Sequence, residues 1–250
     1  MTNILISGAL GKMGKKVFDA SLLNEDACPV CGVDVLCNRE VKDFPIYNSF
    51  EMVTQTIDVV IDFSSPANLD NLLNFAKKSG AKLVLCTTGY TKEDLDKINL
   101  WSKEIAIFRS ANMSLGVNVL IDLVKKATKS LYGFDIEIIE KHHNQKKDAP
   151  SGTALMLADG VKEVISNSTY VYGREGIVGK RTKEEIGLHA VRGGNIVGEH
   201  QVIFAGEDET ITLTHQATDR GVFAQGAVKA AIFMKDKTSG LYNMNDIIKE

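Results

Sequence analysis

No apolar run in this 250-residue chain approaches the roughly 18 residues that a membrane-spanning helix needs. Positive charge is not in excess either: 29 Lys and Arg stand against 32 Asp and Glu, a formal net charge of −3. A broad nucleic-acid footprint is therefore not expected, and the chain carries no pattern for a DNA-binding helix pair. The N-terminus, MTNILISGALG, has no charged leader or cleavage-like site and reads directly as a first strand. A cytoplasmic protein is the expectation. Cysteine is scarce, at Cys28, Cys31, Cys37 and Cys86. Cys28-Pro-Val-Cys31 is a CxxC, but no second CxxC follows, and the nearest histidine is more than 100 residues away. No metal is expected there; reduced thiols in or near the core are, and a cytosolic setting argues against a disulfide. Internal repeats and low-complexity segments are absent.

What is present is ordinary globular material, 44% hydrophobic and 24% charged, long enough for one large domain or two small ones. Short apolar runs alternate with helical patterns over the first 110 residues. Strands are expected at 3–7, 30–33, 58–63, 83–86 and 105–108, and helices at 12–22, 66–79 and 91–104. That rhythm implies a Rossmann-like α/β domain, a parallel sheet with helices on both faces. Its strands read as continuous apolar runs such as DVVIDF, as burial on both faces requires. The rhythm then changes. A long helix at 116–131 is followed by strand-like runs at 135–142, 187–192, 196–204 and 210–216, with one helix at 152–165 among them. Segments 187–216 alternate with period 2 around the short turns RGGN and GEDE, as antiparallel hairpins do. Residues 173–186, rich in glycine and charge, read as a mobile loop, and 225–234 as a last helix. The second domain is expected to be α+β, with a mainly antiparallel sheet.

The first strand runs into Gly8-Ala9-Leu10-Gly11-Lys12-Met13-Gly14, and a helix follows. Glycines there let the backbone approach a pyrophosphate, and the helix N-terminus offers unpaired N–H groups and a positive dipole end. The spacing is GxxGxxG rather than GxGxxG, a weak signal on its own. Asp34, 20 residues beyond Gly14 at the end of the second strand, strengthens it, because an acid there accepts hydrogen bonds from ribose hydroxyls. Val35 follows instead of an arginine that would grip a 2′-phosphate. Arg39 and Lys42 are close enough for a loop to supply one. NADH is the favoured cofactor and NADPH the alternative. Two stretches fall where later strands should end, Cys86-Thr87-Thr88 and Ser110-Ala111-Asn112-Met113. Their small and short polar side chains suit a nicotinamide and its ribose; ordinary strand-to-helix loops are the other reading.

KHHNQKKDAPSGTAL, residues 141–155, crowds His142, His143, Lys146 and Lys147 together in a mildly acidic chain. On a strand the two histidines point to opposite sides, unless the strand ends between them, so they have different jobs. Lys146 can fold back over the pocket of His143. The turn at Asp148-Ala149-Pro150 leads to Ser151-Gly152-Thr153, which open a helix whose N–H groups form an anion site suited to a carboxylate. A substrate with at least one carboxylate follows. Neighbouring histidines do not share one side of a strand, and no carboxylate or thiolate has ligand spacing, so a metal is not expected here. His189, His200 and His215 line the pocket or pack at a subunit interface.

EKHHNQKKDAPSGTAL closely resembles the E-x-H-H-x-x-K-x-D-A-P-S-G-T signature of the 4-hydroxy-tetrahydrodipicolinate (dihydrodipicolinate) reductase family. GALGKMG, TTG at 87–89, ANMSLGVN from Ala111, HAVRGGNIVGEH from His189 and TDRGVFAQGAVKAA from Thr218 are similar to family segments in the same order. The resemblance spans nearly the whole chain. It implies reduction of 4-hydroxy-tetrahydrodipicolinate, a cyclic imine dicarboxylate, to tetrahydrodipicolinate with loss of water, using NADH or NADPH, on the diaminopimelate route to lysine. It also implies His142 as proton donor or acceptor and Lys146 as a second proton donor. His143 and the Ser151–Thr153 helix start would bind substrate carboxylates; Gly8 to Met13, Asp34, Cys86 to Thr88 and Ser110 to Met113 would bind the cofactor. The family is usually a homotetramer joined through its antiparallel sheets, and its C-terminal helix packs back on the first domain. The implied domains are 1–113 with 222–250 for the dinucleotide and 114–221 for substrate and oligomerisation. Two departures stand out: Cys86 where the family has glycine, and Val35 where members that use both cofactors have arginine. The competing readings are another amino-acid-pathway dehydrogenase, such as an aspartate dehydrogenase, and a non-catalytic nucleotide sensor. Neither accounts for HHxxKxDAPSGT. The expected outcome for His142→Ala is a kcat lower by roughly 10²–10⁴-fold with cofactor binding retained; steady-state kinetics showing an unchanged kcat would remove His142 from the chemistry.

Overall fold

The computed structural model describes residues 1–37 and 44–249; Arg39 and Lys42 lie outside the described residues. The first run of elements is β1 (Thr2–Ser7), α1 (Lys12–Leu22), β2 (Ala27–Val33), β3 (Ile46–Tyr47), β4 (Val59–Asp62), α2 (Leu69–Ser79), β5 (Lys82–Leu85), α3 (Lys92–Trp101) and β6 (Ala106–Arg109). Then come α4 (Leu115–Ser130), β7 (Asp135–His142), α5 (Gly152–Lys162), β8 (Thr169–Tyr172), β9 (Glu185–Arg192), β10 (Gly198–Ala205) and β11 (Thr210–Ala217). The chain closes with α6 (Gly221–Met234), β12 (Gly240–Tyr242) and α7 (Met244–Ile248). Two compact units result: Met1–Leu115 with Arg220–Glu250, and Gly116–Asp219.

The first unit is built on a seven-stranded sheet in the order β12-β6-β5-β4-β1-β2-β3, all of it parallel. Its apolar runs are continuous because both faces are covered. Ile4, Ile6, Val59, Ile61, Val84 and Phe108 turn to one side, against Val17 of α1 and Ala224, Ala227 and Ala231 of α6. Leu5, Val60, Leu83, Leu85 and Ile107 turn to the other, against Leu69, Leu72, Leu73 and Ala76 of α2. Strand order reverses between β1 and β4, the switch point at which sheets of this kind bind ligands. The helix expected from Pro66 begins as a 3-10 turn, Pro66–Asn68, under the Ser65 hydroxyl, before α2 proper. Thr91 stands outside its helix and caps it reciprocally with Asp94. The short edge strands β3 and β12 were not anticipated: two or three residues are too few for a periodic signal.

In the second unit the sheet order is β11-β10-β7-β9-β8. β10 pairs antiparallel with β7 and β11, whereas β7–β9 and β8–β9 are parallel. GEDE therefore closes a true hairpin, β10–β11. RGGN does not, because β7 lies between β9 and β10. The pattern along β7 decides what this unit does. Ile136 and Ile138 face inward with Leu157, Val161, Val202 and Phe204, and period 2 puts Glu140 and His142 on the same buried side. Glu137 faces the other way. It accepts both Arg174 Nη1 (2.9 Å) and Nη2 (3.0 Å), Arg181 Nε (3.1 Å) and His189 Nε2 (2.7 Å). Burial pushes the Glu137 carboxyl up, but Arg174, His189 and Arg181 outweigh it and bring its pKa down to about 2. The 173–186 segment was expected to be mobile; two of its arginines are tied to this strand instead.

Helix α6 rests on small residues. A Cβ on buried Gly226 would stand 1.7 Å from the Met113 carbonyl oxygen, so no substituent fits without moving backbone. Gly226→Ala is expected to destabilise the first unit by about 3 kcal/mol, as overpacking does; a denaturant midpoint equal to wild type would mean the close approach does not exist.

Candidate functional site

The first unit presents a nucleotide-type pocket. The chain leaves β1 through Gly8, whose φ of +78° suits glycine alone. A Cβ there would come within 2.7 Å of Phe63 O, and one on Gly14 within 2.3 Å of Gly8 O. Gly11 meets only Gly8 O, at 3.1 Å, and borders a cavity of about 580 Å³ with Ser7, Gly8, Asp34, Ser64 and Asn68. Helix α1 starts beside it with no side-chain cap and no acid in its first turn, so its N-terminus is bare and receptive to an anion. The Asp34 carboxylate accepts Leu10 N–H (2.9 Å) and Leu36 N–H (3.0 Å), fastening the glycine turn to the end of β2 while its side chain borders the cavity. Glycines that crowding demands, a bare helix start and an acid at the second strand suit a dinucleotide.

The other expected cofactor residues are distributed unevenly. Ala9 is buried and Met13 packs on the core, whereas Lys12 is exposed. Cys86, Thr87, Thr88 and Ser110 to Met113 do not border the 580 Å³ cavity. Thr87 Oγ1 donates to Asp62 Oδ2 at 2.6 Å, and Asn112 Oδ1 accepts Ser114 N–H at 2.8 Å. Cys86 is buried with the core of the first sheet, and its N–H donates to Asp62 O at 2.9 Å. Phe63, Ser64, Ser65 and Asn68, which read in sequence only as the end of one element and the start of the next, are part of the cavity wall.

In the second unit the signature closes on one buried carboxylate. Glu140 is 0% exposed. Its Oε1 accepts Arg192 Nη2 (2.7 Å) and Ser151 N–H (3.0 Å); its Oε2 accepts Arg192 Nη1 (2.7 Å) and lies 2.6 Å from His142 Nδ1. A carboxylate with that many donors can only accept, so His142 carries its proton on Nδ1 and keeps a lone pair on Nε2. That nitrogen lies over Gly198, where a Cβ would approach it to 3.1 Å. Burial lowers the His142 pKa; Glu140 opposes this, and the charges of Lys146 and Arg192 add to it, leaving the imidazole neutral at pH 7. Burial also pushes Glu140 up, but Arg192 and His142 bring it below its ordinary value. Lys146 Nζ pairs with Asp148 Oδ1 at 2.8 Å, and Arg192 Nη2 also donates to Asp148 O at 2.6 Å.

Ser151 joins this cluster to the helix start. Its Oγ accepts Ala154 N–H at 3.2 Å and lies 2.9 Å from His200 Nε2. Gly152 is exposed, with nothing within 4 Å of a Cβ placed on it, so the first turn of α5 is open on that side. His143 and Thr153 are half-buried. His200 stands edge-on to His142, with ring centroids 5.1 Å apart, and opposite His215 on β11. Sequence reasoning left Arg192 on a turn without a role and His200 undecided. It overlooked Glu140 as a partner, although the alternation of DIEIIEKH already places it beside His142.

Burial, reinforced by the neighbouring charge of His142, lowers the His200 pKa to about 4. Protons therefore prefer the unfolded chain below pH 6.5, and stability falls as pH drops from there towards 4. Between pH 7 and pH 5 this histidine alone is expected to remove about 2 kcal/mol. Urea unfolding of wild type and His200→Asn at the two pH values checks it: the variant should show the shallower loss, and equal losses would contradict the assignment.

Family models for dihydrodipicolinate reductase match this chain, the N-terminal model over residues 2–113 and the C-terminal model over 116–248. A 4-hydroxy-tetrahydrodipicolinate reductase of Caldanaerobacter subterraneus subsp. tengcongensis is 52% identical over 251 residues, covering 100% of this chain and 99% of that protein. One of Clostridium novyi is 50% identical with the same coverage. A dipicolinate-bound dihydrodipicolinate reductase from a Paenisporosarcina species superposes with a TM-score of 0.82 at 25% identity, covering 99% of each chain. An aspartate dehydrogenase from Thermotoga maritima reaches a TM-score of 0.52 at 12% identity over 95% of this chain and 98% of its own, and shares the fold alone. With both family models matched and half of all residues shared end to end with such reductases, the chain belongs to the 4-hydroxy-tetrahydrodipicolinate reductase family.

Proposed function

We propose that this chain reduces 4-hydroxy-tetrahydrodipicolinate to tetrahydrodipicolinate, with loss of water, on the diaminopimelate route to lysine. The observation that carries the reading is the Glu140–His142–Ser151 cluster, formed by the signature residues themselves. The first unit binds the nicotinamide cofactor, which supplies the hydride. Gly8 and the bare start of α1 receive the pyrophosphate, Asp34 the adenosine ribose, and Thr87, Thr88 and Ser110 to Met113 the nicotinamide end; Cys86 contributes backbone only. The second unit binds the substrate. His143 and the open first turn of α5, at Gly152 and Thr153, hold carboxylates. Neutral His142 exchanges a proton at Nε2, and Lys146 carries the second proton. Glu140 fixes the His142 tautomer, and Arg192 keeps Glu140 charged.

NADH is the preferred cofactor in this reading. The Asp34 carboxylate would face a 2′-phosphate with like charge, and Val35, 83% exposed, offers nothing to offset it. A homotetramer joined through the outer faces of the second sheets is part of the same reading, supported by the exposed Val191, which pairs with outward-facing Lys141. So is a cytoplasmic location. No helix among the described residues is long and apolar enough to cross a membrane.

The test is nucleotide oxidation by the purified chain, with the unstable substrate generated in situ from pyruvate and aspartate semialdehyde by a synthase. Substrate-dependent oxidation is expected, with kcat/KM about tenfold or more higher for NADH than for NADPH, the scale of one like-charge contact. Protein that binds NADH but turns over neither cofactor would refute the assignment.

A further inference from the structure

Asp62, the last residue of β4, is 0% exposed and has no lysine or arginine partner among the described residues. Three hydroxyls surround it. Ser7 Oγ (2.7 Å) and Ser64 Oγ (2.5 Å) donate to Oδ1, Thr87 Oγ1 (2.6 Å) donates to Oδ2, and Ser64 N–H approaches Oδ1 at 3.3 Å. The direction of these bonds follows from Asn68. Its Nδ2 donates to Ser7 Oγ (3.3 Å) and to Ser64 Oγ (3.2 Å), so each serine oxygen is already an acceptor and turns its own hydrogen to the carboxylate. Both serine hydroxyls and the Ser64 N–H donate to Asp62, and these bonds favour its charged form against the burial that raises its pKa. Arg109, which ends β6, stacks over the Tyr90 ring, 6.0 Å from its centroid.

An unpaired buried charge costs several kcal/mol, and a serine or asparagine could tie these strand ends together more cheaply. The place of the charge suggests its use. Asp62 lies opposite Ser7 in the β1–β4 ladder and opposite Leu85 in the β4–β5 ladder, at the carboxyl ends of the three central strands. Ser7, Ser64 and Asn68, which hold it, also form the cavity wall. Asp34 at the end of β2 fixes the adenosine side of that pocket, so the other half of a dinucleotide extends past the switch point towards β4 and β5.

We infer that Asp62 is a fixed electrostatic counter-charge for the nicotinamide ring, favouring its oxidised, cationic form. With the cofactor bound, the C4–H bond of the reduced ring would break, its electron pair would leave with the hydrogen to form a C–H bond on the conjugated imine, whose π pair would shift towards nitrogen and be met by a proton, and the ring would acquire one positive charge. A preorganised anion nearby stabilises that charge as it develops, without reorganisation. Asp62 touches neither substrate nor reacting atoms in this role; it acts through Ser64 and Thr87 and through its field. The inference rests on the cofactor reading above.

The test measures dissociation constants for NADH and NAD⁺, by fluorescence and calorimetry, on wild type, Asp62→Asn and Asp62→Ser. The variants are expected to bind NAD⁺ about tenfold more weakly relative to NADH, the order of two unit charges roughly 12 Å apart at an effective dielectric near 20. Equal changes for both nucleotides, or none, would overturn the inference. Failure of both variants to reach the native fold would also overturn it, leaving Asp62 a structural anchor. Wild-type protein that binds neither nucleotide would refute the cofactor reading itself, and this inference with it.

Discussion

The second unit depends on the four contacts made by the Glu140 carboxylate. Each comes from a different part of the chain or serves a different end. The two Arg192 bonds hold the end of β9, the Ser151 N–H bond sets the start of α5, and the His142 bond fixes an imidazole two residues further along β7. A buried charge with a bidentate guanidinium and two further donors is fully satisfied; removing any one leaves a costly remainder. The cluster is therefore rigid as a set. Rigidity is what an acid–base residue needs, because a tautomer that could flip would present the wrong nitrogen.

The two units use buried carboxylates in opposite ways. Both Glu140 and Asp62 sit towards the carboxyl ends of strands whose earlier inward-facing residues are core: Ile136 and Ile138 before one, Val60 and Ile61 before the other. Glu140 meets an arginine, and its pKa falls despite burial. Asp62 meets only hydroxyls and one amide N–H; burial raises its pKa while those donors pull against it. The first arrangement is electrostatically closed and serves to position. The second has no lysine or arginine among its hydrogen-bond partners in the described residues. His200 extends the contrast, since burial lowers its pKa and, among the described residues, its ring is bonded at Nε2 and has no hydrogen-bond partner at Nδ1.

Much of this was legible in the chain itself. The continuous apolar runs named the parallel sheet, and GxxGxxG with Asp34 named its pocket, because both follow from local periodicity and spacing. The alternation in β7 already put Glu140 and His142 on one face, although the reading of the sequence passed over the carboxylate. Non-local pairing was not legible. Nothing in HAVRGGNIVGEH says that β7 inserts between the strands on either side of RGGN, since a tight turn usually joins neighbours. The 173–186 segment misled for a related reason. Glycine and charge describe a loop in isolation, whereas Arg174 and Arg181 find their carboxylate on a strand more than 35 residues earlier. Arg192 was hidden in the same way: its partner Glu140 is 52 residues away.

Cys86 shows where motif and physics part. Against the family's glycine it looks like an intrusion into the nucleotide loop. The structure puts its side chain among Val84, Ala106 and Phe108 in the core, with Sγ 3.7 Å from the Val84 carbonyl oxygen. Burial, then the charge of Asp62, raises its pKa well above the ordinary thiol value, so it is an inert thiol rather than a nucleophile. Its N–H is taken by Asp62 O, extending the β4–β5 ladder by one step. Glycine at this position would leave a small void under the sheet, whereas cysteine fills it. Next to it, the Thr87 hydroxyl contacts Asp62 Oδ2 at 2.6 Å, the feature of this strand end that bears on chemistry.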